Sequence, residues 1–448
     1  MGKAKAACSF IVSVCAICLW AGTLPAQERR PSGLGFDLLD YRLRNGLRII
    51  LSEDASLPLV TVVVAYGAGT VRESPAQEGL AYLLENLMFQ GSENVSPLQH
   101  VGFIQKVGGE FNATTTLDKA LFYETLPSNY LALALWLESD RMKSLAITAA
   151  GVEKTRSDIL EEHQARLRSD PYLESFARFD DLIFPDFAYG HPLIGSGEKM
   201  KGLSVEVVRS FYQKFYVPTN AVLCIVGQFD PAKTRELVAR YFDSIPPGYD
   251  VPVPAPPFFR QTDEVNEKLP GAPGTSSGFH LGYRFYPLQT GDAYALRILE
   301  YILFKGETSR MRHRLLRRDL TAHYLSGSLE ERGGALALKL FCLTNNAIMT
   351  QRSERAITSE FDRLKTSPVS VDELARARHQ FKMDYLRRVS TRLGRALFLV
   401  DAAFAGHSLD SFGDDLENCL RIGPASLISL ANRHLLSRNK VVLEIEQR

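Results

Sequence analysis

Cysteine is scarce where it would matter. Of six cysteines, Cys8, Cys15 and Cys18 lie in the first 26 residues, leaving Cys224, Cys342 and Cys419 for the rest of the chain. Three widely spaced thiols make neither a disulfide framework nor a zinc knuckle, and they read as buried thiols. An excess of one charge is also lacking: Lys+Arg 52 against Asp+Glu 51 gives +1. Loss of Lys3 and Lys5 with a leader leaves 50 against 51, a net charge of −1. Neither total draws the protein to nucleic acid or to an anionic membrane, so no nucleic-acid partner is expected. The apolar run from Ser9 to Leu24 has only sixteen residues, short of the roughly 20 that a spanning helix needs. The glycine-rich run Gly195–Gly202 lacks the G-K-[ST] ending of a phosphate loop and reads as solvated.

What is present is an ordinary globular composition, 45% hydrophobic and 23% charged over 448 residues, long enough for roughly three domain-sized units. Residues 1–26 have the order of an export signal: basic Lys3 and Lys5, the apolar run, then Pro25-Ala26 before Gln27. The reading is a leader rather than an uncleaved anchor, with no stable membrane insertion once it is removed.

A proline-rich stretch divides the chain beyond the leader. Pro246, Pro247, Pro252, Pro254, Pro256, Pro257, Pro270 and Pro273 fall close together, and such a stretch is a poor ladder donor. The expected organisation is an N-terminal domain over 36–247, a linker over 248–275 and a C-terminal domain over 276–448. The two halves repeat. Leu83-Leu84-Glu85 with Phe89 and Gly91 returns as Ile298-Leu299-Glu300 with Phe304 and Gly306, an offset of 215. Leu203 through Asn220-Ala-Val-Leu returns from Ile422 through Asn439-Lys-Val-Val at an offset of 219. Two matches at nearly one offset indicate duplication. Each half mixes strand-like runs (Leu47–Leu51, Leu59–Tyr66, Ala221–Val226, Gly278–Phe285, Val441–Ile445) with long helical patterns (Gly79–Gln90, Tyr130–Met142, Val152–Leu167, Val371–Arg388). The fold class is therefore α+β, one layered domain used twice. The first helix is expected to start on a Ser74 cap, with Pro75 at its first position and Gln77 closing a capping box.

That helix reads G-L-A-Y-L-L-E-N-L-M-F-Q-G-S from Gly79. Leu80, Leu84, Leu87 and Met88 form its apolar stripe, and Tyr82, Glu85 and Asn86 share another face. The stretch resembles the metal motif of the pitrilysin/insulinase family of zinc peptidases, G-L-A-H-x-L-E-H-x-x-F-x-G. In that family two imidazoles hold zinc, the Glu between them is general base, and a second Glu about 76 residues on completes the ligands. Glu162 stands 76 residues after Asn86. Family-like segments also occur at Gly108–Thr114, Arg168–Tyr172, Gly190–Leu193 and Asn220–Gly227. Both histidines are missing: Tyr82 and Asn86 occupy their positions, and Thr155 stands where another acidic residue is common. A phenol and a carboxamide are poor zinc ligands. His163 cannot simply replace a ligand while Glu162 faces the site, because one residue turns about 100° around a helix. Bound zinc lowers the pKa of water from 15.7 to about 7, and no lone glutamate replaces that. The expectation is a degenerate site at Tyr82, Glu85, Asn86 and Glu162 with no metal on this chain.

The resemblance implies more for the second half. Family members carry an arginine and a tyrosine seven residues apart that reach the metal-bearing half, hold the substrate backbone and stabilise the oxyanion. Arg317 and Tyr324 have that spacing, with Arg318 as the alternative arginine. An edge strand at Asn112, Ala113 and Thr114 is expected to pair with extended peptide substrate. Bacterial members of this length close as two-subunit clamshells, some with divided labour. The leading expectation is an exported, periplasmic, zinc-free subunit whose homologous partner carries H-x-x-E-H and the zinc. The alternatives are a catalytically silent structural or peptide-binding subunit, or a solitary enzyme with an unusual metal site built on Glu85, Glu162 and an unrecognised ligand.

Overall fold

The computed structural model describes residues 30–31, 36–249, 251–252, 261–286, 288–409 and 413–447. The leader reading at 1–26 lies outside them. Uninterrupted β-branched runs become the central strands. The strands of the first half are β1 (Arg30–Pro31), β2 (Asp37–Arg42), β3 (Arg48–Glu53), β4 (Leu59–Tyr66), β5 (Glu110–Thr115), β6 (Ala120–Pro127) and β7 (Ala221–Gly227). Its helices are α1 (Leu80–Leu87), α2 (Gln99–Lys106), α3 (Leu131–Ser144), α4 (Ala149–Ser169) and α5 (Leu173–Ile183). After these come α6 (Phe187–Gly190), α7 (Gly197–Lys201), α8 (Val205–Phe215) and α9 (Pro231–Phe242).

The second half contributes β8 (Val265–Pro270), β9 (Ser277–Phe285), β10 (Tyr324–Arg332), β11 (Ala335–Thr344) and β12 (Lys440–Glu446). Its helices are α10 (Thr290–Leu303), the single turn α11 (Arg310–Arg312), α12 (Ala347–Thr366) and α13 (Val371–Ser390). The last three are α14 (Arg392–Phe404), α15 (Asp414–Arg421) and α16 (Pro424–His434).

Two mixed sheets result, ordered β1-β2-β3-β7-β4-β6-β5 and β10-β11-β9-β12-β8. Read from β3, the first runs β3-β7-β4-β6-β5, and the second runs β8-β12-β9-β11-β10. The pairing senses agree: β3 with β7 and β8 with β12 are parallel, and the remaining neighbours are antiparallel. The offset of 219 carries α8 onto α16 and β7 onto β12. The fold is α+β and built twice.

The proline-rich stretch differs in one respect from the linker expectation. Between Pro257 and Pro270 the run Val265–Pro270 forms β8, paired in parallel with β12. Pro270 terminates the strand at the sheet edge, where a missing donor costs no ladder bond.

Each sheet buries one face on its own helices. The first carries Leu80, Leu84, Leu135 and Phe211 against Val62, Val64 and Phe122. The other faces are exchanged between halves. Val389, Ala396, Leu399 and Val400, from α13 and α14, cover Ile50, Val63, Val222 and Cys224. In return Phe179, Ile183 and Phe184, from and just after α5, cover Ala337, Val441 and Leu443. Charge pairs cross the same seam: Arg178 reaches Glu267 at 2.7 and 2.6 Å, Arg332 reaches Asp180 at 2.7 Å, and Lys119 reaches Asp401 at 2.9 Å. This mutual burial joins the halves far more tightly than charge pairing at a surface would.

Candidate functional site

The degenerate motif sits on α1, whose start differs from the Ser74 capping box. The helix begins at Leu80, and Glu73 caps it from outside by accepting from Gly79 N at 2.9 Å and Ala81 N at 2.7 Å. Ser74 Oγ instead reaches Gln77 Oε1 at 2.9 Å. Gly79 turns the chain into the helix at φ +83°, and a Cβ there would collide with the Ile194 carbonyl oxygen, so only glycine fits. A buried carboxylate at a helix N-terminus also meets the positive end of the helix dipole.

His191 completes this cap. Its Nε2 lies 3.0 Å from Glu73 Oε2 and its Nδ1 lies 2.6 Å from Phe187 O. Both neighbours accept, so both contacts are filled when the imidazole carries two protons. Burial alone would lower the pKa of His191, but the hydrogen bonds to Glu73 and to the Phe187 carbonyl raise it above the ordinary value. Glu73 is raised as well, chiefly by burial.

Tyr82, Glu85 and Asn86 come together on one face, as their spacing implies. Asn86 Nδ2 donates to Tyr82 O at 2.9 Å. Burial raises the pKa of Tyr82, with further upward pushes from the Glu162 and Glu85 carboxylates. A phenol so placed holds its proton. Glu85 is also raised by burial, and its Oε2 is buried with no hydrogen-bond partner. Helix α4 packs against α1, yet Glu162 points outward: its side chain is 54% exposed and pairs at 2.6 Å with Arg166 on the same helix. The adjacent His163 keeps a buried Nδ1 without a partner, and Thr155 is buried. A protonated phenol, an amide engaged with its own helix and an outward carboxylate are not a zinc ligand set.

Among the described residues, the imidazole and carboxylate groups that do converge lie elsewhere. One ligand atom from each of His100, Glu124 and Glu138 falls within 4.8 Å of the others, all buried. Arg141 fills that place with its own charge: Nε donates to Glu138 Oε2 at 2.9 Å and Nη2 donates to Oε1. Its guanidinium also lies over Phe122 at 4.5 Å and Phe89 at 5.4 Å. Desolvation pushes Glu138 up to about 8 and holds His100 down to about 3. Sequence reasoning passed over this group. The available signal was Glu138 and Arg141 three residues apart inside the apolar helix pattern of α3.

The substrate-strand residues Asn112, Ala113 and Thr114 lie on β5, an edge strand that pairs with β6 alone. Asn112 and Thr114 are exposed. In the second half, Arg317 lies in a widened helical turn over His313–Arg318 and Tyr324 opens the edge strand β10. Arg317 is 55% exposed and pairs with Glu307 at 2.7 Å, while Arg318 is 53% exposed and pairs with Asp319 at 2.8 Å. The chain reverses between the two elements at Leu320, which holds φ +51°. Tyr324 is 47% exposed and leans edge-on against Phe341, with ring centroids 5.9 Å apart.

The two like halves, each a mixed sheet with helices, and the glutamate-bearing motif helix packed against α4 are the arrangement that the resemblance of the sequence implies. The comparisons agree. The sequence model of the insulinase family, peptidase family M16, matches residues 48–175, and that of the peptidase M16 inactive domain matches residues 202–381. The chain belongs to peptidase family M16. It is 22% identical over 404 residues to a zinc protease named PqqE of Helicobacter pylori, covering 88% of this chain and 89% of that protein. The crystal structure of a protease from Helicobacter pylori superposes with a TM-score of 0.85 at 20% identity, covering 91% of this chain and 99% of that one. The periplasmic protease PqqL of Escherichia coli gives a TM-score of 0.74 at 16% identity; the match covers 92% of this chain but 48% of that one, so this chain spans about half its length. No helix among the described residues is long and apolar enough to cross a membrane.

Proposed function

We propose that this chain is the zinc-free subunit of an exported, periplasmic two-subunit peptidase, working with a homologous partner that carries H-x-x-E-H and the zinc. In this reading β5 holds an extended peptide along Asn112, Ala113 and Thr114, and Tyr324 with Arg317 (or Arg318) supports the transition state formed on the partner's metal. The observation that carries it is the contrast between the two sites. The motif helix presents a phenol that holds its proton, a buried carboxyl with one oxygen unpartnered, and an amide. The arginine–tyrosine segment stays solvent-accessible at a sheet edge. A cation and a phenolic donor aimed at developing negative charge need no metal of their own.

The test is peptide hydrolysis by a mixture of the purified chain and a zinc-bearing homologue. Arg317→Ala and Tyr324→Phe are each expected to lower kcat by about 10²-fold or more, the usual cost of losing one oxyanion donor. Unchanged hydrolysis with both variants sinks the division of labour. The ion pair of Arg317 with Glu307 favours a second reading, in which the arginine is held locally and the chain is a catalytically silent peptide-binding subunit. In that case the variants change neither kcat nor KM.

A further inference from the structure

We infer that Glu307 is a positioning residue for Arg317, which makes Arg317 rather than Arg318 the arginine that meets the substrate; this rests on the proposed reading of the arginine–tyrosine segment as a substrate contact. The arginines between Ser309 and Asp319 are divided by their partners. Arg310 is held by both oxygens of Glu373 on α13, at 2.6 and 2.7 Å. Arg314 reaches Asp319 at 2.6 Å and Glu360 on α12 at 2.7 Å. Arg318 donates at 2.8 Å to the other oxygen of Asp319, its own chain neighbour. Arg317 and Arg312 share Glu307 instead. Glu307 Oε2 accepts from Arg317 Nη2 at 2.7 Å, and Oε1 accepts from Arg312 Nη2 at 3.0 Å. Arg312 Nη1 in turn donates to the Leu325 carbonyl oxygen at 3.4 Å. Leu325 follows Tyr324 on β10, so one carboxylate and one guanidinium connect the head of Arg317 to the strand that bears Tyr324.

Two observations separate this arrangement from an ordinary surface ion pair. The first is charge. One carboxylate between two guanidiniums leaves one positive charge in excess, so Glu307 orients Arg317 without neutralising the segment. Among the described residues Arg317 hydrogen-bonds through Nη2 alone, which keeps its other N–H groups for an incoming oxyanion. The second is the backbone. Asp319 N bonds to Arg314 O, five residues back, at 2.9 Å, a widened turn of the kind that recurs at functional sites. Directly after it Leu320 holds φ +51° and is 70% exposed, so burial of its side chain does not offset the strain. Both irregularities fall on the short path from Arg314 to Tyr324, around Arg317. A long arginine stem loose in solvent loses much rotamer freedom when it must hold one geometry. A carboxylate partner already in place reduces that loss before substrate arrives.

The experiment is peptide hydrolysis by the full chain mixed with a zinc-bearing homologue. It reads kcat and KM for Glu307→Ala, Glu307→Gln, Arg317→Ala, Arg318→Ala and the double variant at 307 and 317. Glu307→Ala is expected to lower kcat about tenfold, within the roughly 10²-fold that a displaced group can cost, and to change KM less. Glu307→Gln keeps an acceptor oxygen, so its loss is expected to be smaller. With Arg317→Ala already in place, removing Glu307 is expected to have no further effect, because a residue acting through Arg317 has nothing left to aim. Arg318→Ala is expected to cost less than Arg317→Ala. An unchanged or raised kcat for Glu307→Ala, beside a lowered one for Arg317→Ala, overturns the inference and leaves the subunit reading intact. A loss that persists in the Arg317→Ala background overturns it as well, since that marks a general structural defect, and so does a larger loss from Arg318→Ala. Unchanged hydrolysis with Arg317→Ala is instead a failure of the subunit reading itself, and the inference falls with it.

Discussion

The two halves solve one packing problem with opposite outcomes at equivalent places. The offset of 215 carries Glu85 on α1 to Glu300 on α10, and Asn86 to Tyr301. In the second half this face is closed: Glu300 pairs with Lys305 at 3.0 Å, and the Tyr301 hydroxyl donates to Asp384 of α13 at 3.1 Å. In the first half Glu85 has a buried oxygen with no partner, and the Glu162 carboxylate of the neighbouring α4 turns outward to Arg166. One copy has been stitched into a scaffold. The other leaves its motif face only partly satisfied. A buried carboxyl oxygen without a partner is costly, and the sister helix avoids that cost by pairing Glu300 with Lys305.

The largest expected effect comes from reversing that replacement. Tyr82→His combined with Asn86→His restores two imidazoles four residues apart, leaving Glu162 to swing inward from Arg166. Metal analysis after dialysis is expected to find about one zinc equivalent on the double variant and none retained by the unaltered chain, since neutral imidazole is zinc's preferred partner in such sites. Stoichiometric zinc on the unaltered chain would falsify the contrast between the halves.

The next effect lies in the core of the first half. Arg141→Met leaves Glu138 and Glu124 buried without their cation, and breaking such a pair from one side costs about 3–5 kcal/mol. Denaturant unfolding at pH 9, above the value of about 8 to which burial raises Glu138, measures it. A loss below about 1 kcal/mol, the level of an exposed pair, removes the claim that the His100–Glu124–Glu138–Arg141 group is an internal brace.

A smaller, pH-dependent effect is expected at the cap of α1. His191 has a folded pKa raised above its unfolded value. Its contribution is therefore complete below about pH 6.5, the ordinary histidine value, and is lost as pH rises through the higher folded value. Glu73, also raised, has the same sign, because the folded state again binds the proton more tightly. The melting temperature of His191→Gln should lie below that of the unaltered protein at pH 6 and approach it in alkaline solution. Parallel curves would show that the imidazole is neutral throughout.

The strands were legible because buried strands are runs of β-branched residues. The apolar run Leu59–Tyr66 has the same bounds as β4, and the offset of 219 between halves is visible without any knowledge of strand order. The start of α1 was not legible. Its cap is a carboxylate six residues before Gly79, fixed by His191 from more than a hundred residues away, and local capping rules cannot see such a partner. Strand β8 was hidden by the prolines around it, since only its place at a sheet edge makes that composition tolerable. At the site, the faces of Tyr82, Glu85 and Asn86 followed from helical spacing. The outward turn of Glu162 did not, because side-chain direction at an exposed helix end is decided by whichever neighbour, here Arg166, offers a charge.

The finest test bears directly on Glu85 and Glu300. Glutamine at position 85 removes a carboxyl whose pKa burial has raised, while glutamine at position 300 removes one that Lys305 satisfies. At pH 8 Glu85→Gln is expected to raise stability by about 1 kcal/mol, the scale of an unmet buried polar group. Glu300→Gln is expected to lower it by about 0.2–1 kcal/mol, discounted because Lys305 is partly exposed. The gain at position 85 should fade as pH falls through its raised pKa, where the native carboxyl takes up its proton and the two side chains become alike in charge. Thermal unfolding of both variants at pH 8 and pH 4 reads the difference, and the same sign at both positions would mean that the halves are not energetically distinct at this face.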